Sequence, residues 1–70
     1  MNLTDAERKE REELRNRILG PLNTLDDVVA ARKALSKWLK KHPDDHQILG
    51  EGESLVMLES AMRRLDKLYR

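Results

Sequence analysis

The stretch Ile48-Leu49-Gly50-Glu51-Gly52-Glu53-Ser54-Leu55-Val56-Met57-Leu58 decides the fold, because it reads either as the middle of one long helix or as a break between two short ones. Ile48, Leu55, Leu58, Met62, Leu65 and Tyr69 recur at steps of about three and four once Glu51 is admitted as a polar interruption. That period draws one apolar stripe along a single helix. Gly50 and Gly52 oppose it, since each costs about 1 kcal/mol against alanine in a helix interior. The sequence therefore predicts either close backbone packing at the glycines or a break that leaves a short turn over 44–49. Ala30, Ala31 and Ala34 are the small residues expected to approach them.

Upstream of this stretch, Pro43 ends one helix, and Asp44-Asp45-His46-Gln47 offers an aspartate cap with a glutamine in reach for the next. The preceding helix starts at Thr24, with Asp26 and Asp27 in the first turn where the helix dipole favours acids. Val28, Ala31, Leu35, Trp38 and Leu39 share one of its faces, and Lys33, Lys37 and Lys40 share the opposite one. Further back, Thr4-Asp5-Ala6-Glu7 spells a capping box, and Gly20-Pro21 closes the helix it opens. Asp5 with Lys9, Glu7 with Arg11 and Glu13 with Arg17 stand in the favourable acid-before-base order four apart. The apolar face of this first helix is thin, Leu3, Leu14 and Ile18 with Glu7, Glu10 and Arg11 between or beside them, so only its second half is expected to pack, through Leu14 and Ile18.

The expected architecture is all-α: helices at about 5–19, 25–42 and 45–69 in a single domain spanning 1–70. The second and third form an antiparallel hairpin and the first packs on it, giving a three-helix bundle or a dimeric helical assembly. Seventy residues bury little surface, and with no cysteine a disulfide cannot compensate, which makes self-association the leading expectation. The start of the chain carries no apolar leader and no run approaches a membrane span. A cytoplasmic protein is the resulting expectation, in keeping with the lack of cysteine.

Fourteen Lys and Arg against thirteen Asp and Glu create no strong field for nucleic acid or anionic lipid. Catalysis lacks its parts, because Ser36, Ser54 and Ser60 all fall within helices with no evident base, and Gly50-Glu51-Gly52 lacks the Lys and Ser/Thr of a phosphate loop. No cofactor or metal is expected. His42 and His46 stand four apart, but Pro43 between them assigns the two rings to different elements.

What remains is association. Leu49, Val56 and Met57 lie off the main stripe, so the third helix is apolar on more sides than one neighbour can cover. Leu49, Val56, Met57 and Trp38 are the candidate protein-interface residues, with Trp38 also readable as a core anchor and Tyr69 as closing the core. The expected function is a non-catalytic interaction module, an adaptor, assembly factor or small regulator that binds a protein partner or a second copy. The alternative is a small nucleic-acid-binding regulator using Lys33, Lys37, Lys40 and Lys41, although no Phe is present and Trp38 points to the apolar side.

Overall fold

A computed structural model describes residues 2–68; Tyr69, and with it the expectation that it closes the core, lies outside the described residues. Among the described residues there are three helices: α1 (Asp5–Leu19), α2 (Leu25–Lys41) and α3 (His46–Leu68). Their starts follow from side chains that satisfy the free amides of a first turn. Thr4 Oγ1 accepts from the amide of Glu7 while Glu7 Oε1 accepts from the amide of Thr4. Thr24 and Asp27 make the same reciprocal pair at the head of α2, completing a box of which the sequence suggested only the cap. The amide of His42 donates to Trp38 O at 2.8 Å as α2 ends, one residue before Pro43.

α3 is capped by Asp45 and not by Asp44: Asp45 Oδ1 accepts from the amide of Ile48 and the Asp45 carbonyl accepts from the amide of Leu49. The helix then runs unbroken through both glycines, so the break is absent and the only turn near it lies at 43–44, ahead of the helix. Gly52 is the close approach. A Cβ built there would stand 2.4 Å from Leu35 Cδ2, so the leucine of α2 occupies the place of the missing side chain. The three atoms nearest that position all belong to Leu35 and none to the expected alanines, and Gly50 faces open space with no atom within 4 Å of a built Cβ.

Contacts fix the directions of the helices. Trp38 meets Asp45, Leu35 meets Gly52 and Arg32 meets Glu59, so α2 and α3 are antiparallel. Arg11 meets Asp45 and Arg15 meets Glu51, so α1 runs parallel to α3 along one side of that hairpin. The core consists of Leu14 and Ile18 from α1, Val28, Ala31, Leu35 and Trp38 from α2, and Ile48 and Leu55 from α3. Fully burying each of the Leu, Ile and Val side chains contributes about 1.5–3 kcal/mol.

The apolar stripe of α3 outruns its neighbours. With 23 residues against 15 in α1, α3 extends past the end of α1, and every described residue after Met62 is exposed. Leu65 is 52% exposed, so the core stops short of the position to which the sequence period extended it. No described helix is long and apolar enough to cross a membrane.

Candidate functional site

One side of the α2–α3 hairpin is covered by α1, and the other is left open. On the open side lies a groove of about 820 Å³ whose walls include Leu35 and Leu39 from α2 and Leu49, Val56 and Met57 from α3. The helical period explains it: on α3, Ile48, Gly52 and Leu55 face inward, and the residue following each of Ile48 and Leu55 is turned about 100° toward the open flank. Leu49 is 49%, Val56 57% and Met57 75% exposed. Three of the four candidate interface residues therefore line one groove. The fourth is a correction: Trp38 has 0% exposure and sits in the core between α2 and α3, unavailable to any partner.

Charges border the groove unequally. On the α3 rim stands Glu53, and on the α2 rim Ser36, with Lys33 three residues before it and Lys40 four after it on the same face. All four are exposed. Arg32, at the inner edge, is held by Glu59 Oε1 at 2.7 Å.

Trp38 anchors the opposite face together with a group that the sequence placed only as a cap. Asp45 is 2% exposed, and its carboxylate is fully engaged. Oδ2 accepts from Arg11 Nε at 2.8 Å and Trp38 Nε1 at 2.9 Å, while Oδ1 accepts from Arg11 Nη2 at 3.2 Å and the Ile48 amide at 3.2 Å. The Arg11 bonds above all, then those from Trp38 and Ile48, outweigh the opposing burial and hold the Asp45 carboxyl down at about 2. One turn along, Arg15 grips Glu51 through both oxygens at 2.8 and 2.9 Å and lowers its pKa, aided by Gln47. Arg11 and Arg15 thus join Leu14 and Ile18 in docking α1 on the hairpin. None of the three ion pairs expected within α1 is formed among the described residues; Asp5 lies 4.0 Å from Arg8 and Glu7 turns to Thr4 and His42.

The histidines are separated as the proline implied. His42 packs on Trp38 with ring centroids 4.1 Å apart, and its buried Nε2 stands 3.0 Å from Glu7 Oε2 without hydrogen-bond alignment. His46 opens α3 and is exposed. Among the described residues no three His, Asp or Glu side chains converge as a metal-binding group. The lysines do not make a uniform face: Lys37 shares a cleft with Glu10, Glu13 and Arg17 of α1, and Lys41 lies near enough to Glu7 to help lower its pKa, a shift caused first by the Thr4 amide.

No protein-family model, no curated protein and no solved structure matches the chain.

Proposed function

We propose that the protein is a non-catalytic interaction module, an adaptor, assembly factor or small regulator, that docks a protein partner in the groove between α2 and α3. The observation that carries this reading is the exposure of Leu49, Val56 and Met57 around that groove. An aliphatic hollow of this kind between two helices is a seat for another apolar helix face. Met57 supplies a flexible, polarizable contact suited to such a seat. Among the described residues no hydrogen bond joins Ser36 of its walls to His46 or Glu53, which favours binding over chemistry. A cytoplasmic setting suits a cysteine-free chain.

The nucleic-acid alternative is weaker, because carboxylates of α1 stand beside Lys37 and Lys41 and would oppose a phosphate backbone.

Capture of partners from the native host separates the two readings. The wild-type chain is expected to retain defined proteins that the V56S/M57S variant loses, with helicity by circular dichroism equal in both. Equal capture by both chains would remove the groove from the function. Binding of duplex or single-stranded nucleic acid that is abolished by K33E/K37E/K40E would replace the proposal with the alternative.

A further inference from the structure

The groove has rims of opposite charge, and that pattern is complementary to itself. Glu53 and Ser36 line the groove on α3 and α2, and Lys33 and Lys40 stand one turn to either side of Ser36 on its face, just outside that lining. Among the described residues, hydrogen-bond and ion-pair partners are formed by other charged groups, Arg11, Arg15, Arg32, Glu51 and Glu59 among them, and by none of these three. We propose that the occupant of the groove is a second copy of this chain, related by a two-fold axis parallel to the helices so that α3 of each copy lies on α2 of the other. The proposal names the partner for the interaction-module reading and rests on it.

The charge pattern selects this axis. A two-fold parallel to the helices preserves height along the bundle and exchanges the rims, so acid meets base twice. Gly52 is level with Leu35, and the helices are antiparallel, which puts Glu53 level with Ala34. Lys33 of the second copy then lies about 1.5 Å further along the axis, one residue's rise, within reach of a lysine side chain. The other two-fold that brings these faces together, perpendicular to the helices, would stack α2 on α2 and set lysines against lysines. That arrangement is repulsive.

Leu35, Leu39, Leu49, Val56 and Met57 from each copy would then close a four-helix core from two hairpins. The groove spans residues 46–57, about 18 Å of helix, and two helices about 9 Å apart give it a width of about 20 Å. The resulting footprint of roughly 400 Å² per copy is about half of what a standard stable interface buries. Dimerisation is therefore expected in the micromolar range and not at nanomolar dilution.

Sedimentation equilibrium over roughly 1 to 500 μM tests this. The expected result is a rise from the monomer mass of 8.2 kDa toward twice that value, weakened by 0.5 M salt. E53K alone and K33E alone should each raise the dissociation constant at least tenfold, and E53K/K33E together should restore dimerisation. Both sites are exposed, so the fold is retained, and circular dichroism checks it. A monomer throughout the range overturns the proposal, as does a dimer indifferent to E53K or one that the paired swap fails to rescue. If the chain stays monomeric while V56S/M57S still loses a captured heterologous protein, the interaction-module reading stands and the second copy is excluded as its partner.

Discussion

Replacing Asp45 by asparagine tests the reasoning at its most demanding point. The carboxylate accepts four hydrogen bonds, from Arg11 twice, Trp38 and the Ile48 amide, and at 2% exposure water cannot substitute for a lost partner. Asparagine keeps the volume but removes the charge and turns one acceptor into a donor facing Arg11 or Trp38. Its pKa gives the scale. A carboxyl lowered from 3.8 to about 2 corresponds to about 2 kcal/mol of stabilisation, at about 1.4 kcal/mol per pH unit. Because the folded state holds its proton less tightly than the unfolded chain, this contribution is complete above about pH 4 and disappears as pH falls toward 2. The donor clash and the half-buried guanidinium left without its anion add to the loss, so D45N should cost about 2–4 kcal/mol at pH 7. Urea unfolding followed by the fluorescence of Trp38, the sole tryptophan, gives that value directly. Repeating it between pH 4 and 2 should show a smaller acid-induced loss in D45N than in the wild type. A cost under about 0.5 kcal/mol at pH 7, or the same decline with acid in both chains, would refute the account of this cluster.

The two glycines of α3 should respond oppositely to alanine. G50A meets open space and should stabilise by about 0.5–1 kcal/mol, while G52A drives a Cβ into Leu35 and should come out about 1–3 kcal/mol less stable than G50A in thermal unfolding at low concentration. The caps of α1 and α2 are independent, so T4A and T24A should each cost about 1 kcal/mol and the double variant about their combination. A single cap whose loss abolishes the whole transition would show the helices to be more tightly coupled than these contacts imply.

The helix limits were legible because punctuation of the chain is chemical: Thr4 with Glu7, Gly20-Pro21, Thr24 and Pro43 bracket α1 and α2 and mark the start of α3 within a few residues. Leu14 and Ile18 were legible as the packing residues of α1. The arginines were not, since a charged side chain on a charged helix reads as solvated. The available signal was positional: Arg11, Leu14, Arg15 and Ile18 fall three and four apart on one face, so the arginines had to point where the apolar pair pointed. Asp45 was readable as a cap, but a cap is an exposed feature by default and its burial depends on Arg11 arriving from 34 residues away. Trp38 was assigned to both core and surface because periodicity gives the inward direction without saying how completely neighbours close over it. The groove followed from Leu49, Val56 and Met57 being too far around the helix for α2 to reach. The exposed end of α3 did not, because the sequence period continues after its neighbours have ended.

Arg11 ties the first helix to the residue that starts the third, and this has a kinetic side. The hairpin of α2 and α3 is assembled from neighbours in sequence, a topology that closes quickly. Asp45 is used both to begin α3 and to receive Arg11, so unwinding that first turn loosens the hold on α1, and lifting α1 away strips the turn of its counterion. Opening at either place therefore promotes opening at the other. Amides of α1 and of the first turn of α3 should exchange with solvent deuterium at matched rates, as one cooperative unit, despite lying at distant positions along the chain.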